Sequence, residues 1–233
     1  MLSKNYVLKS CPICDYSMKP TRHSWLFRCV NCGFLQSILE PNIESQEAGY
    51  AINETKREVA LKQLRIANFQ RILESLEDLV EPQSKRLLEV GCAHGWFLEL
   101  AAERGFTVFG IEPDLAMSNT LATRFPSIWH GFFPQNIPEG EKFDLIVFND
   151  VFEHLPNVTE AMNSCRSLLH TGGILIINLP CQTGIFYRVA ALLDRLGISG
   201  PLERMWQKKF ASPHLSYFTP LQLQKIANKF GFR

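Results

Sequence analysis

The chain has 233 residues, 46% of them hydrophobic and 20% charged, which is ordinary for a folded protein and wrong for a disordered one. The 24 Lys and Arg nearly balance the 23 Asp and Glu, and a net charge of +1 argues against a nucleic-acid partner. No apolar run reaches the roughly 20 residues that span a bilayer, and the first residues lack a signal-peptide pattern, so we expect a cytoplasmic protein with no membrane partner.

Residues 1–40 form the first predicted domain, a small module built around four cysteines. Cys11 and Cys14 are two residues apart, as are Cys29 and Cys32 further along the chain. A tetrahedral zinc ion takes four thiolates, and each C-x2-C turn supplies two of them, so the spacing predicts a structural zinc ribbon. The alternatives are a redox C-x-x-C pair, which normally starts a helix inside a βαβ unit, and four unrelated buried cysteines.

Residues 41–83 are predicted to form a helical linker or cap. Apolar residues recur near helical spacing from Val59 to Leu79, with charged residues between them. Such a stripe is typical of a helix that packs on the core of the next domain.

From Lys85 onward, apolar strands alternate with helices, which is the pattern of a parallel sheet covered on both faces. The predicted strands are residues 86–90, 107–112, 128–130, 143–148 and 174–178, the last preceded by a turn at 170–173. The predicted helices between them are residues 96–104, 114–124 and 158–169. The fold class is therefore α/β, with a doubly wound, mostly parallel, Rossmann-like sheet in residues 84–233 preceded by a small zinc ribbon.

The loop from Glu89 to Gly95 follows the first strand of this sheet and differs from a phosphate-binding loop. Ala93 stands where a dinucleotide-binding loop has its second glycine, and no Gly-Lys-Ser/Thr sequence follows. What is left is a glycine bend preceded by a carboxylate, which suits a cationic ligand. Glu112 ends the second strand, where a carboxylate typically binds ribose hydroxyls.

Four segments, in the same order along the chain, resemble the motifs of class I S-adenosylmethionine-dependent methyltransferases. Residues 87–95 resemble their first motif, 110–114 the ribose-binding motif, 143–155 the fourth-strand motif and 172–178 the fifth strand. The resemblance covers about residues 84–233. A leading four-cysteine module resembles, more narrowly, methyltransferases of sugar, surface-polysaccharide and natural-product pathways.

That resemblance implies which residues bind S-adenosyl-L-methionine. Residues 91–95 would line its methionine part, Glu112 would take both ribose hydroxyls, and Asn149 and Asp150 would meet its amino-acid end. Phe132 and Phe133 would flank adenine, although many family members place an Asp near position 132 and this chain has none. The predicted cofactor-binding set is Glu89, Gly91, Cys92, Ala93, Gly95, Glu112, Pro113, Phe132, Phe133, Asn149 and Asp150.

The candidate catalytic residues are His154, His214 and Asp150. Methyl transfer from a sulfonium needs orientation and, for some acceptors, removal of a proton, and histidine titrates close to neutral pH. The alternative is that Glu153 and His154 merely cap a helix and pack. A further alternative is a divalent-metal site. The four residues Asp150, Glu153, His154 and His214 partly resemble the site of metal-dependent O-methyltransferases, whose ligands are mixed carboxylates and imidazoles.

Residues 183–210 are predicted to form a lid-like insertion of two short helices, and the alternative is an ordinary amphipathic pair that covers the sheet. A helix is then predicted from Thr219, and residues 231–233 resemble the start of a strand. Family members continue with two more strands, so we expect C-terminal strands to be missing, or a partner to complete that sheet edge.

The sequence as a whole predicts methyl transfer from S-adenosyl-L-methionine to a small-molecule acceptor, such as a sugar, a polysaccharide precursor or a natural-product intermediate. One alternative is an RNA methyltransferase that binds its substrate through the zinc ribbon. Another is a non-catalytic adaptor that keeps the fold.

Overall fold

The computed structural model describes residues 10–41 and 61–233, which fall into two compact units. The sheet unit contains residues 61–151 and 164–178, and the ribbon unit contains residues 10–41, 152–163 and 179–233. This division differs from the domain boundaries expected near residues 40 and 83, which stay predictions. Residues 42–60 of the predicted linker lie outside the described residues.

The described residues form nine strands, seven α-helices and a short 3-10 helix at Phe152–His154. The strands are β1 (Met18–Pro20), β2 (Leu26–Cys29), β3 (Leu35–Ser37), β4 (Arg86–Val90), β5 (Thr107–Glu112), β6 (Ile128–His130), β7 (Phe143–Asn149), β8 (Leu169–Asn178) and β9 (Ser216–Tyr217). The helices are α1 (Lys62–Glu77), α2 (Trp96–Glu103), α3 (Leu115–Ala122), α4 (Val158–Leu168), α5 (Ile185–Arg195), α6 (Gly200–Met205) and α7 (Pro220–Lys229).

The sheet unit is built on five parallel strands, which confirms the predicted Rossmann-like sheet. Their order is β6-β5-β4-β7-β8, so the direction of winding reverses beside β4. β4 and β7 are almost entirely buried because strands and helices enclose them, which explains their continuous apolar sequences. In such sheets a ligand binds at the carboxyl ends of the strands near the reversal.

Helices α1 and α2 pack on this sheet through one apolar cluster. Phe69 of α1 meets Phe97 of α2 edge to face, with ring centroids 5.4 Å apart. Leu73 and Leu76 of α1 are buried in the same cluster. Burying each such side chain contributes about 2 kcal/mol, so α1 is firmly attached to the sheet. The beginning of the predicted stripe, at Val59, lies outside the described residues.

The ribbon unit contains a second, antiparallel sheet of order β1-β2-β3-β9. Three strands come from the cysteine module, and the fourth comes from the far end of the chain, with Leu35 paired to Tyr217. Tyr217 then packs with Trp206 and Tyr187, which belong to the segment predicted as an insertion. The cysteine module is therefore part of a larger core and does not stand alone.

Two local predictions were wrong. The turn expected at residues 170–173 lies within β8, where the pairing with β7 shifts register between Phe143 and Leu145 and so accommodates the extra residues. Residues 231–233 do not begin a strand. Instead they close α7, because the N–H of Phe232 donates to the carbonyl of Ala227 at 3.0 Å.

None of the helices in residues 10–41 and 61–233 is both long enough and apolar enough to cross a bilayer.

The two predicted helices of the 183–210 segment are present as α5 and α6. The predicted helix near Thr219 is present as α7, and a reciprocal capping box between Thr219 and Gln222 fixes its start.

Candidate functional site

The polar residues of the sheet unit gather at the carboxyl ends of its strands. Glu89 is the penultimate residue of β4, Glu112 ends β5, Asn149 ends β7, and Asn178 ends β8. Parallel strands bring their carboxyl ends to one edge, so sequence-distant side chains meet there. This edge contains most of the predicted cofactor-binding residues.

Glu112 is held in place by two backbone amides. Its Oε2 accepts a hydrogen bond from the N–H of Ala93 at 2.8 Å, and its Oε1 accepts one from the N–H of Asp114 at 2.9 Å. The residue is 6% exposed. Because both donors belong to the backbone, each carboxylate oxygen points in a fixed direction, and each can accept a further hydrogen bond from a ligand.

Glu89 is buried at the end of a chain of amide side chains. Asn178 donates to Oδ1 of Asn149 at 3.3 Å, and Nδ2 of Asn149 donates to Oε1 of Glu89 at 3.0 Å. Within the described residues, Oε2 of Glu89 has no hydrogen-bond partner. Burial raises the pKa of Glu89 to about 8, because the charged form loses its hydration. The nearby Glu112 carboxylate adds to this increase.

Arg65 of α1 is a cation of this site that the sequence analysis did not single out. Its positive charge lowers the pKa of Glu89 and so opposes the effect of burial. Its Nη2 lies 4.0 Å from Oδ2 of Asp150, the residue that follows β7. In the sequence Arg65 is one of several basic residues on an amphipathic helix, and only the packing of α1 distinguishes it.

The glycine bend is required by close packing. Gly91 has a φ of +69°, and a Cβ there would lie 2.6 Å from Cγ2 of Val151. Gly95 has a φ of +71°, and a Cβ there would lie 2.4 Å from Cδ2 of Leu121. A side chain at either position must displace its neighbour, so the sequence keeps glycine at both ends of the loop.

Three other residues of the predicted cofactor-binding set, Cys92, Ala93 and Pro113, could contact the cofactor only through their backbone or, for Pro113, through its ring. The side chain of Cys92 packs in the core with Leu98 and Leu121, and burial raises the pKa of its thiol. Ala93 presents its N–H to Glu112, as described above. The carbonyl oxygen of Pro113 lies 3.1 Å from Nε2 of His130.

Phe132 and Phe133, predicted to flank adenine, lie in different surroundings. Phe132 is 51% exposed, whereas Phe133 is buried and packs edge to face on Phe148, with centroids 5.4 Å apart. The N–H of Phe132 donates to Oδ1 of Asn136 at 2.9 Å. Asn136, which the sequence analysis did not single out, therefore fixes the backbone beside Phe132.

His214, in the ribbon unit, has both ring nitrogens engaged. The hydroxyl of Tyr217 donates to the carbonyl of Met205, so it accepts from Nδ1 of His214 at 3.1 Å. Nε2 then accepts from the amide of Gln207 at 2.9 Å. These bonds engage both nitrogens of the buried imidazole and join the end of α6 to the segment before β9, and its role as a base stays a prediction.

His154 has a different arrangement. Its Nδ1 lies 2.9 Å from the carbonyl oxygen of Pro213 and 3.2 Å from Oγ of Ser212, so Nδ1 carries the proton and Nε2 is the basic nitrogen. Burial lowers the pKa of His154, so the ring is neutral near pH 7. A neutral imidazole with a basic Nε2 is able to accept a proton.

Glu153, His154 and His214 also form a candidate divalent-metal cluster. Each offers one ligand atom, and these atoms lie within 4.8 Å of one another. Oε1 of Glu153 is 4.0 Å from Nε2 of His214. Asp150, the fourth residue of the predicted metal set, belongs to the sheet unit.

The four cysteines of the ribbon unit converge as their spacing predicts. Sγ of Cys11 lies 3.6 Å from that of Cys32, and Sγ of Cys14 lies 3.5 Å from that of Cys29. Four sulfurs at about 2.3 Å from a tetrahedral zinc ion are about 3.8 Å apart, so the donor set fits the metal. Burial raises the pKa of Cys32 to about 11, so zinc must displace protons when it binds near pH 7.

A family model described as a methyltransferase domain matches residues 61–233 of this chain. A ubiquinone biosynthesis O-methyltransferase from Rhizobium etli is 28% identical over 117 residues, which are 48% of this chain and 46% of that protein. The same-named protein from Glaesserella parasuis is 33% identical over 114 residues, 44% of this chain and 48% of that protein. The matched part is thus about half the length of these curated relatives.

Solved structures show the same fold. A SAM-dependent methyltransferase from Archaeoglobus fulgidus has a TM-score of 0.57 at 20% identity, covering 77% of this chain and 74% of its own. A SAM-dependent methyltransferase from Thermotoga maritima, described as a possible histamine N-methyltransferase, has a TM-score of 0.58 at 18% identity, covering 78% and 77%.

Zinc at the four cysteines is tested by metal analysis of the purified full chain. We expect one zinc ion per chain, lost in Cys14→Ala and Cys29→Ala because three thiolates hold zinc less tightly than four. Cys181→Ala is the matched control, since Cys181 lies outside the cluster and should leave the zinc content unchanged. Zinc retention should fall as pH falls, because protons compete for the sulfurs. Full zinc content in both cluster variants would contradict the assignment.

Proposed function

We propose that this chain, which belongs to the methyltransferase-domain family, transfers a methyl group from S-adenosylmethionine to a small organic acceptor. The observation that carries the proposal is the pair of buried carboxylates, Glu89 and Glu112, on either side of a glycine bend. A buried carboxylate is unfavourable unless a cation or hydrogen-bond donors compensate it. A sulfonium ligand with an amino group and two ribose hydroxyls offers both.

The residues present fit that ligand. Glu112 presents two oriented oxygens to a pair of hydroxyl donors, and Glu89 offers a buried oxygen, Oε2, to a positively charged group. Arg65 lies beside Asp150 and is suited to a ligand carboxylate. When bound, the cofactor supplies an already activated methyl group, so the main task of these residues is orientation.

For the acceptor we propose a hydroxyl compound, among sugars, polysaccharide precursors and natural-product intermediates. The curated relatives are named as O-methyltransferases, which supports oxygen as the methylated atom. A hydroxyl must lose its proton when it is methylated, and we assign that proton to Nε2 of His154. His214 we assign a positioning role, because both of its nitrogens are engaged.

A metal-dependent reaction is the second candidate. The observation that favours it is the convergence of Glu153, His154 and His214 within 4.8 Å. Carboxylate and imidazole ligands suit a divalent transition metal, which polarises an acceptor oxygen. Full turnover after treatment with a chelator would exclude this candidate, provided that the cysteine zinc is retained.

The methyl-donor site is tested by titration calorimetry with S-adenosylmethionine and its demethylated product. Glu112→Gln should weaken binding of either ligand about 10-fold to 100-fold, because two charge-assisted hydrogen bonds to ribose become neutral ones. Glu103→Gln, an exposed glutamate on α2, is the matched control and should bind normally. If the wild-type chain bound neither ligand, the adaptor alternative would replace the enzyme.

The raised pKa of Glu89 predicts a pH-dependent affinity for the cationic donor. Below about pH 8 the free site holds Glu89 protonated, and binding must release that proton. Affinity should therefore rise up to about tenfold per pH unit as pH approaches 8 and level off above it. In Glu89→Gln this part of the dependence should disappear, and any dependence that both proteins share belongs to the ligand or to other groups.

The role of His154 is tested by release of the demethylated product in the presence of a panel of small phenols and sugar nucleotides. For an acceptor that the wild-type chain methylates, His154→Ala should lower kcat by about 100-fold to 10,000-fold and leave the cofactor Kd unchanged. Ser212→Ala removes only the more distant Nδ1 partner and should keep most of the turnover. Unchanged kcat in His154→Ala would remove His154 from the mechanism.

A further inference from the structure

Residues 131–136, which follow β6, lie beside Glu112 at the carboxyl edge of the parallel sheet. β6 neighbours β5, with His130 paired to Glu112, and the N–H of Gly131 donates to the carbonyl of Glu112 at 3.1 Å. On the other side of β5, β4 leads into the glycine bend. A donor whose methionine part lies over the bend and whose ribose is bound by Glu112 therefore directs its base toward residues 131–136, one strand spacing of about 4.8 Å further on.

The amide of Asn136 is used by this loop itself. Its Oδ1 accepts from the N–H of Phe132 at 2.9 Å, and its own N–H donates to the carbonyl of Phe132 at 3.0 Å. Gly131 has a φ of +134°, and a Cβ there would lie 2.3 Å from Cγ of Asn136. Glycine therefore lets the Asn136 side chain fold back over the backbone, where its amide oxygen is engaged within the loop.

The neighbouring polar side chains also have partners within the chain. Asp114 caps α3, and its Oδ1 accepts from the N–H of Met117 at 2.9 Å. Nε2 of His130 lies 3.1 Å from the carbonyl oxygen of Pro113, to which it donates. Residues 130–137 contain no acidic residue. An amino group on the base therefore meets no carboxylate in this loop.

What the loop offers to a base is an aromatic ring. Phe132 is 51% exposed, whereas Phe133 is buried against Phe148. Stacking on a ring uses the π face that every purine has, so it is insensitive to the groups at the purine edge. Gln135 and Asn136 are exposed, so the outer edge of a base stacked on Phe132 stays in contact with water. Water then satisfies an amino group at that edge.

We propose that this chain holds the purine of its methyl donor by stacking on Phe132 and does not read the 6-amino group. The inference rests on the proposed function and adds a specificity to it. The contacts of Glu112 with ribose and of Glu89 with the cationic end select the donor, and the 6-position of the purine does not. Donor analogues that lack the amino group are then bound about as well as the natural compound.

The test is titration calorimetry of the full chain with the demethylated product of S-adenosylmethionine and with its 6-deamino analogue. The analogue has purine in place of adenine, so it loses the amino group and keeps every ring nitrogen. We expect the two Kd values to agree within about threefold, because a solvated hydrogen bond contributes little. Recognition of the amino group by a charged acceptor would instead weaken binding of the analogue about 10-fold to 100-fold.

Two variants of Phe132 test the role of its ring. Phe132→Leu should weaken both ligands by the same factor of about 3 to 10, because it removes the stacking surface. Phe132→Asp should also weaken both, and it should introduce a preference of about tenfold for the ligand with the amino group, because a carboxylate accepts from that group. Leu79→Asp is the matched control: Leu79 is 68% exposed in the sheet unit, beyond the end of α1 that is distant from Arg65, and both Kd values should stay unchanged. Circular dichroism establishes that each variant is folded.

The inference is overturned if the wild-type chain binds the demethylated product but loses more than tenfold in affinity for the deamino analogue. It is equally overturned if both Phe132 variants bind the two ligands as the wild-type chain does. Binding of neither ligand by the wild-type chain would instead remove the proposed function on which the inference rests.

Discussion

Two carboxylates, Glu89 and Glu112, are buried at the carboxyl ends of the parallel strands, and this burial is the main electrostatic constraint on the sheet unit. The Glu112 carboxylate adds to the raised pKa of Glu89, and burial outweighs the opposing effects of the Asn149 hydrogen bond and the Arg65 charge. Two buried carboxylates without a cation are unfavourable, which is the physical ground for the cationic ligand proposed above. The glycine bend between the strands allows Val151 and Leu121 to pack closely against the loop, and the backbone amides of Ala93 and Asp114 fix the direction of the Glu112 oxygens.

The ribbon unit depends on a sheet assembled from both ends of the chain. The module of about 30 residues around the cysteines is too small to bury a stable core, so the added strand β9 contributes to its folding, as would the predicted zinc ion. The N–H of Ser37 donates to the carbonyl of Leu215 at 2.9 Å, and its hydroxyl donates to the carbonyl of His214. The cysteine module therefore supports the C-terminal segment, and a structural role fits the predicted four-thiolate zinc site, which would leave no open coordination position for catalysis.

How much the sequence predicts depends on the range of each interaction. The parallel strands, the glycine bend, Glu112 and the four cysteines follow from local signals, namely apolar runs, turn residues and ligand spacing. Strand β9 has two residues and pairs with β3 across most of the chain, so no local pattern marks it. Arg65, Asn136 and the Asn178–Asn149–Glu89 chain become visible only when packing joins distant segments. The burial of the Cys92 side chain and the hydrogen bonds of both His214 nitrogens likewise depend on packing that no local sequence pattern reveals.

The same ribbon sheet connects the four-cysteine cluster to the two histidines. β3 begins three residues after Cys32 and pairs with β9. Just before β9, the carbonyl of Pro213 accepts a hydrogen bond from Nδ1 of His154, and the next residue is His214. The N–H of Leu215 also donates to the carbonyl of Glu153 at 2.8 Å. A proton-accepting imidazole requires a fixed tautomer, and here the tautomer is set by backbone whose position rests on the ribbon. In the proposed function, zinc held by the four cysteines would therefore act on His154 only indirectly, by stabilising the backbone that fixes the direction of Nε2.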